Sequence, residues 1–296
     1  MAQAATNPSV RRSAHDFLAL TKPTIMLLVL VTGFLTLFVI PDASPSIGLV
    51  ISTVVGTALA SGSANALNMY FDRDIDQIMK RTRTRPIPAG KVTPKEALVF
   101  GIVLGVVSVV LLWTTANALS ALIALAGILF YVFVYTLFLK RRTPQNIVIG
   151  GAAGSVAPLI AWAAVTGTVD LPAWLLFLVV FLWTPPHFWA LALLASEDYA
   201  RAGVPMLPVV RGDEETRRQI FLYTALLVPL TVTFYIIDFA GPIFLVGGLL
   251  LAGIFLQKAA KLLTDKSRES ARDVFFYSIF YLALLFVALL IDRVIL

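Results

Sequence analysis

The sequence contains no cysteine, which excludes disulfides, thiolate catalysis, iron–sulfur clusters and cysteine-bound zinc. Its two histidines, His15 and His187, are too few for a histidine-rich metal cage. Charge is scarce as well: Asp, Glu, Lys and Arg make up 14% of the 296 residues, against about 25% in an ordinary soluble domain. Hydrophobic residues make up 59%, and the mean hydropathy is +0.88. This composition predicts an integral, multi-pass membrane protein.

The positive charge of the chain has a topological explanation. Its 23 Lys and Arg residues against 17 Asp and Glu residues give a formal net charge of +6. Cytoplasmic loops of membrane proteins are enriched in Lys and Arg, so a surplus of this kind is typical of a membrane orientation signal. We therefore expect membrane lipid around the protein and no nucleic-acid partner.

Nine apolar runs are long enough to cross a bilayer, which takes about 20 residues. Proline marks several of the turns between them, at Pro41, Pro144, Pro172 and Pro242. The runs lie at about 19–40, 46–69, 97–116, 118–138, 147–166, 173–195, 219–238, 243–260 and 273–294. The sequence thus predicts an all-α, polytopic bundle of nine transmembrane helices.

The distribution of Lys and Arg tests this count. If the N-terminus is cytoplasmic, 22 of the 23 basic residues fall on the cytoplasmic side, and only Arg293 does not. A wrong number of helices would scramble this alternation. We therefore predict that the N-terminus is cytoplasmic and the C-terminus outside. Residues 1–16 are expected to form a flexible cytoplasmic arm, and residues 17–296 a single membrane domain.

The most informative segment joins the end of the second run to the loop after it. Asn68, Asp72 and Asp76 are four residues apart, so on a helix they lie on one face. Carboxylate and amide oxygens suit Mg²⁺, which completes its coordination with water and substrate phosphates. Like charges four residues apart also repel each other, and a bound cation relieves that repulsion. The segment predicts a Mg²⁺ site, with Asp74 on another face and outside it.

Basic residues follow this acidic cluster at once. Arg81 and Arg85 lie within a run of four cations just after the three aspartates. Arg binds phosphate oxygens in a bidentate manner, and a site for a Mg²⁺-bound diphosphate needs acids and bases together. We therefore expect Arg81 and Arg85 to bind diphosphate.

The combined pattern resembles the signature of the UbiA superfamily of intramembrane prenyltransferases. This resemblance implies nine transmembrane helices, a central cavity and Mg²⁺-dependent use of a prenyl diphosphate, with residues 17–296 as the prenyltransferase domain. It begins at residues 20–23 and is most specific up to about residue 210. The matching pattern reads Asn68-x-x-x-Asp72-x-x-x-Asp76-x-x-Met79-x-Arg81-Thr82-x-x-Arg85-Pro86.

Further stretches, at residues 140–151, 183–189 and 198–210, resemble those members of the family that act on haem. The resemblance implies transfer of a farnesyl group from farnesyl diphosphate to a vinyl group of haem B. The product is haem O, within the biosynthesis of haems O and A. It also implies a haem A synthase or oxidase assembly factors as partners, and a bacterial inner membrane as the location, with a mitochondrial inner membrane as the alternative.

Three more residues are candidates for the metal and diphosphate site. Many members of the family carry a second pair of aspartates after the sixth helix, whereas here Asp198 is followed four residues later by Ala202. Asp198 is therefore a candidate ligand of a second Mg²⁺ or of the diphosphate, with weaker support than the first cluster. Lys140 and Arg141 are predicted on the same membrane side as the aspartates and are candidates for diphosphate binding. For either residue taken alone, membrane topology is the favoured explanation.

His187 and its aromatic neighbours leave two interpretations open. A lone His in an apolar helix is most often a hydrogen-bonded packing residue. A haem substrate implies instead that His187 ligates the iron, orients the haem or bonds a propionate. Nearby aromatic residues could flank a substrate, either a flat ring or an allylic cation. Ordinary packing is the favoured interpretation for them. These residues are Trp183, Phe188 and Trp189, with Tyr131 and Tyr135 as similar cases.

Two other functions fit parts of the pattern. A related prenyltransferase that acts on an aromatic acid or a quinone precursor would keep the first cluster and change the acceptor pocket. An ion-coupled transporter would also place carboxylates in the membrane. Transporters more often hold such groups near the midplane on broken helices, whereas these carboxylates are predicted at a membrane face.

Overall fold

The structure is a computed structural model that describes residues 13–295. Within this range it consists of helices and contains no strand. The helices are α1 (Ala14–Leu20), α2 (Pro23–Val39), α3 (Ile47–Phe71), α4 (Arg73–Ile78), α5 (Pro94–Thr115), α6 (Ala118–Leu129), a π-helix (Phe130–Leu139), α7 (Asn146–Gly154), α8 (Ala157–Thr166), α9 (Leu171–Leu194), α10 (Ser196–Arg201), α11 (Leu207–Ile236), α12 (Pro242–Thr264) and α13 (Arg268–Ile295).

The prediction of nine membrane spans is confirmed in its essentials. Eight helices, some of them built from two consecutive elements, are long and apolar enough to cross a membrane. Helices α1 and α2 meet at an angle of 59° and make the ninth span if they are counted as one. Which terminus faces the cytoplasm stays a prediction.

The predicted N-terminal arm lies mostly outside the described residues, which begin at Ser13. Its last three residues belong to α1, because Ser13 and Asp16 form a reciprocal capping box. The Ser13 hydroxyl accepts a hydrogen bond from the Asp16 backbone, and the Asp16 carboxylate accepts one from the Ser13 backbone. The division into an arm and a membrane domain stays a prediction.

Proline begins several of the spans, as the turn positions suggested. Pro172 and Pro242 lie in the first turns of α9 and α12, where a missing backbone N–H costs nothing. Large apolar side chains such as Val106 and Leu250 point outward and are more than half exposed, as the lipid-facing surface of a bundle requires. The polar exceptions are inside: Asn68, Asp72 and Asp76 are among the buried residues.

The π-helix at Phe130–Leu139 shifts the register of its span. Its wide turns are visible in the hydrogen bond from the Lys140 backbone to the Tyr135 carbonyl, five residues earlier. The Thr136 hydroxyl likewise donates to the Tyr131 carbonyl at 2.9 Å. Residues four and five apart therefore lie near one face, and Tyr131, Thr136 and Lys140 all point toward the interior of the bundle.

Candidate active site

The corner between α3 and α4 carries the predicted metal ligands. Asp72 ends α3 and begins α4, with backbone angles of φ −89° and ψ 5°. Backbone hydrogen bonds continue across the corner, from Asp72 to Asn68 at 2.9 Å and from Asp76 to Asp72 at 2.8 Å. The Asn68 amide also donates to the Asp72 carboxylate at 2.7 Å. All three side chains are at most 2% exposed.

Each of the two buried carboxylates has a cationic partner. One terminal nitrogen of Arg85 lies 2.8 Å from both oxygens of Asp76. Lys140, which follows the π-helix, forms an ion pair with Asp72. Arg85 and Lys140 are themselves mostly covered, with side chains 18% and 15% exposed. Such pairing is what keeps two ionised carboxylates tolerable in an interior.

Sequence reasoning missed Lys22 as part of this site. Its ammonium nitrogen donates to the Asn68 side-chain oxygen at 2.8 Å, while the Asn68 amide reaches the Thr136 hydroxyl at 3.1 Å. Lys22 adopts a left-handed conformation, with φ 53°, at the break between α1 and α2. The sequence held a signal for this role, because an ionisable residue in a membrane span usually marks a functional site.

One oxygen of Asp72 is free for a ligand. Its Oδ1 atom is buried and has no hydrogen-bond partner among the described residues. Arg141 approaches Oδ1 to 3.8 Å, which is too far for a hydrogen bond. A buried acceptor without a partner is costly, so the site is suited to a cation that fills this position. No cluster of three His, Cys, Asp or Glu side chains occurs within residues 13–295, so a metal here needs further ligands from water or substrate.

Asp74 lies apart from the buried site, as its position on the helix predicted. Its exposed carboxylate makes two hydrogen bonds of 2.7 Å with Arg141. These bonds lower the pKa of Asp74 to about 2. The carboxylate therefore stays ionised at any physiological pH, and it holds Arg141 at the edge of the site, 3.8 Å from Asp72 Oδ1.

Arg81 and Asp198 form their contacts outside the buried cluster. A terminal nitrogen of Arg81 donates to the Tyr199 hydroxyl at 3.4 Å, which ties the loop after α4 to α10. Asp198, the neighbour of Tyr199, forms an ion pair with Arg201 on its own helix. The metal and diphosphate roles of Asp198 stay predictions, and this ion pair would have to open for either of them.

A cavity of about 360 Å³ lies beside the buried cluster. Its wall is mostly apolar and comes from α2, α3, α6, the π-helix, α7, α8, α9 and α13. Asn65, one turn before Asn68, and Tyr135, next to Thr136, both line it, so it adjoins the cluster of carboxylates. Its volume falls in the range of about 300–1,000 Å³ that is usual for ligand pockets.

His187 lies in the wall of this cavity, held from several sides. Its imidazole stacks between Trp183 and Phe275, with ring centroids 4.5 Å and 4.7 Å away. Trp183 and Phe188 also line the cavity, as do Tyr131 and Tyr135. Trp189 instead packs against Tyr223 on α11. The aromatic candidates therefore divide into cavity residues and one packing residue.

Gly150 makes room for a tyrosine of the cavity wall. A Cβ atom at Gly150 would lie 2.2 Å from Cδ2 of Tyr135, a ring carbon that cannot turn away on its own. We expect Gly150→Ala to displace the ring and to lower the free energy of unfolding by about 1–3 kcal/mol. Thermal unfolding of the purified protein in detergent measures the change.

Gly154→Ala is the matched control for Gly150→Ala. Gly154 is on the same helix and lines the same cavity, but a Cβ atom there has nothing within 4 Å. The control should leave stability unchanged or raise it slightly, because Ala favours a helix over Gly. Equal stability of both variants would show that Tyr135 does not depend on the space at Gly150.

The chain is similar to one family of membrane enzymes over most of its length. The sequence pattern of the UbiA prenyltransferase family matches residues 28–287. A protoheme IX farnesyltransferase from Symbiobacterium thermophilum is 50% identical over 280 residues, which cover 94% of this chain and 94% of that protein. The protein of the same name from Gloeobacter violaceus is 49% identical over 288 residues, which cover 97% of this chain and 94% of the relative.

Solved structures share the fold at much lower identity. A structure of a digeranylgeranylglyceryl phosphate synthase superposes with a TM-score of 0.79 at 21% identity, covering 95% of this chain and 99% of that one. A structure of a UbiA homolog from Archaeoglobus fulgidus bound to GPP and Mg²⁺ superposes with a TM-score of 0.66 at 17% identity, covering 93% and 99%. At these identities the likeness concerns the fold alone.

Proposed function

Since the chain belongs to the UbiA prenyltransferase family, we propose that it transfers the farnesyl group of farnesyl diphosphate to a vinyl group of haem B. The observation that carries this proposal is the junction of two environments. Buried carboxylates with cationic partners lie at one end of an apolar cavity, and an imidazole lies in the wall of the same cavity. The first environment suits a metal-bound diphosphate, and the second suits a prenyl chain and a porphyrin. The identity of about 50% with protoheme IX farnesyltransferases supports haem as the acceptor.

Asp72, Asp76 and Asn68 are the residues that would hold Mg²⁺. The free Oδ1 of Asp72 and the all-oxygen character of the set fit this ion, which keeps waters and accepts phosphate oxygens. When bound, Mg²⁺ neutralises charge on the departing diphosphate. Arg85 and Lys140, which now pair with these carboxylates, would be available to the phosphates if the carboxylates held a divalent ion.

Arg85, Lys140 and Lys22 are the proposed diphosphate partners closest to the carboxylates, with Arg81 and Arg141 at the rim. Their donors stabilise the negative charge that develops on the leaving oxygen as the C–O bond of the substrate breaks. Because these side chains are largely buried, each interaction is stronger than it would be in bulk water. Asp198 is proposed as a further contact at the rim, on the strength of its position next to Tyr199, which Arg81 contacts.

The cavity is proposed to hold the farnesyl chain. Burial stabilises such a chain by roughly 0.8 kcal/mol for each CH₂ group. The apolar wall also keeps water away from the allylic carbon while positive charge develops there. Tyr131, Tyr135 and Trp183 line the cavity, and the faces of aromatic rings attract a cation.

The acceptor step needs no strong general base from the protein. The terminal carbon of a haem vinyl group donates its π electrons to the allylic carbon of the farnesyl group, and the diphosphate departs with the electrons of the C–O bond. The new cation next to the porphyrin ring is captured by water, which loses a proton and leaves a hydroxyl. The product therefore carries one farnesyl group and one hydroxyl more than haem B, and its formation is consistent with the sequence's lack of a recognisable Ser/His/Asp set.

A reconstituted reaction tests the proposal. Purified protein is incubated with farnesyl diphosphate, Mg²⁺ and haem B, and the haem is analysed by mass spectrometry. We expect a mass gain equal to one farnesyl group plus one hydroxyl group, loss of the reaction in EDTA, and recovery on addition of excess Mg²⁺. Prenylation of an aromatic acid or a quinone precursor in place of haem would overturn the acceptor assignment.

The ion-coupled transporter is disfavoured by where the carboxylates lie. Asp72 ends a span rather than interrupting one near its middle, whereas transporters hold such groups on broken helices at the midplane. Membership of the UbiA prenyltransferase family also argues for an enzyme. We propose a bacterial inner membrane as the location. We also propose a haem A synthase or oxidase assembly factors as partners, because such proteins would take up haem O.

A further inference from the structure

Ser278 on α13 makes the hydrogen bonds that define how His187 is held. The Nδ1 atom of His187 lies 2.7 Å from the hydroxyl oxygen of Ser278. That hydroxyl donates in turn to the backbone carbonyl of Phe275 at 2.6 Å. The Ser278 carbonyl accepts the indole N–H of Trp183, also at 2.7 Å. Two residues one turn apart on α9 are therefore fastened to a single residue of α13.

This arrangement decides which nitrogen of His187 carries the proton. A hydroxyl has one proton, and a carbonyl can only accept, so the Ser278 proton lies between Ser278 and Phe275. The Ser278 oxygen must then accept from His187, and the proton is on Nδ1. Nε2, at the opposite side of the ring, makes no hydrogen bond within residues 13–295. A neutral imidazole of this tautomer presents an unprotonated Nε2.

The rings around His187 prevent a simple reorientation. Trp183 and Phe275 lie nearly parallel to the imidazole, at 20° and 24°, and Phe188 meets it edge-on at 87°. A flip of the ring would exchange Nδ1 and Cδ2 and break the bond to Ser278. His187 is half-buried and lines the cavity, and since Nδ1 is bonded to Ser278, Nε2 is the ring nitrogen left for a ligand in that space.

We infer that Ser278 is a positioning residue that holds His187 as the Nδ1–H tautomer, so that Nε2 ligates the iron of the haem substrate. This inference rests on the proposed function. It also chooses among the roles that the sequence left open for His187. A nitrogen lone pair suits iron and cannot donate a hydrogen bond to a propionate. A metal-binding histidine usually donates its other ring N–H to a second residue, which fixes its tautomer and orientation.

Haem binding measured by absorption and electron paramagnetic resonance tests the role of Ser278. Ferric haem B is titrated into wild type, Ser278→Ala, Ser278→Thr and His187→Gly, with iron-free protoporphyrin IX titrated in parallel. We expect wild type to give the spectrum of an imidazole-ligated ferric haem. Ser278→Ala should weaken haem binding by about 10–100-fold and change that spectrum, while Ser278→Thr, which keeps the hydroxyl, restores both.

The iron-free porphyrin and two further variants separate positioning from general damage. Binding of protoporphyrin IX should be the same in wild type and Ser278→Ala, since it has no iron to ligate. Added imidazole should restore the ligated spectrum in His187→Gly. Ser108→Ala, which removes another buried hydroxyl that donates to one carbonyl, should leave haem binding unchanged.

Each of two results would overturn the inference. One is equal weakening of haem and protoporphyrin binding by Ser278→Ala, which would mean a structural role only. The other is a wild-type spectrum that does not change in His187→Gly, which would mean that His187 does not ligate iron. Failure of the proposed function is a different observation, namely wild-type protein that binds haem through His187 but never farnesylates it.

Discussion

Asp72→Asn is expected to lower the rate of haem farnesylation by at least about 1000-fold, because it removes the charge of the buried carboxylate that we propose as a Mg²⁺ ligand. The side chain keeps its shape, and the remaining oxygen can still accept the hydrogen bonds that Asn68 and Lys140 now donate to the carboxylate. Folding should therefore survive with reduced stability, since Lys140 keeps a hydrogen bond but loses its counter-charge. Initial rates measured across a Mg²⁺ titration test the prediction, and the variant should need much more Mg²⁺ for whatever activity remains.

Asp74→Asn is the control for Asp72→Asn. The two aspartates are two residues apart, but Asp74 is exposed and bonded to Arg141 on the rim. Asp74→Asn should keep activity within a few-fold of wild type and leave the Mg²⁺ dependence unchanged. If Asp74→Asn were as inactive as Asp72→Asn, the buried cluster of Asn68, Asp72 and Asp76 would not be the metal site. Wild-type activity in Asp72→Asn would reject the site outright.

Arg85→Met is expected to be both inactive and unstable. It leaves the Asp76 carboxylate, which is 1% exposed, without its partner. Removing one member of a buried ion pair costs about 3–5 kcal/mol, because the other charge stays buried. We expect thermal unfolding in detergent without Mg²⁺ to show this loss, and farnesylation to fall by at least about 100-fold through the lost diphosphate contact.

The double variant Asp76→Leu with Arg85→Met separates the two effects of Arg85→Met. Replacing both partners of a buried pair with apolar residues is often close to neutral, so most of the lost stability should return. Activity should not return, since both the metal ligand and the phosphate partner are gone. Arg83→Met, an exposed neighbour, should change neither quantity. A double variant that recovers activity would show that the pair serves stability alone.

The fold was predictable because the bilayer imposes strong rules on sequence. Span length and the alternation of Lys and Arg between loops follow from the solvent, and both could be read without knowing any contact. The bend between α1 and α2 was not predictable in this way. It occurs at Lys22, whose left-handed conformation is stabilised by a hydrogen bond to Asn68, a residue 46 positions away.

The site was predictable only where its residues are close in sequence. The spacing of Asn68, Asp72 and Asp76 described one face of one helix, and Arg85 followed nine residues after Asp76. Lys140 reaches Asp72 across 68 positions, and nothing local distinguishes it from an ordinary basic loop residue. The partner of His187 is 91 positions away on α13. Neither the tautomer of His187 nor the role of Ser278 could follow from the sequence.

The π-helix at Phe130–Leu139 acts as an adjustment of phase between two tasks of one span. An α-helix advances by a fixed angle of about 100° per residue, so the directions in which its two ends point are locked to its length. Here one end must turn tyrosine rings into an apolar space, and the other must aim an ammonium group at Asp72. Wider turns reset the angle between these ends without changing the thickness of membrane that the span crosses. The bilayer thickness sets the length of the span, whereas the wide turns set the direction in which the Lys140 side chain points relative to the tyrosines.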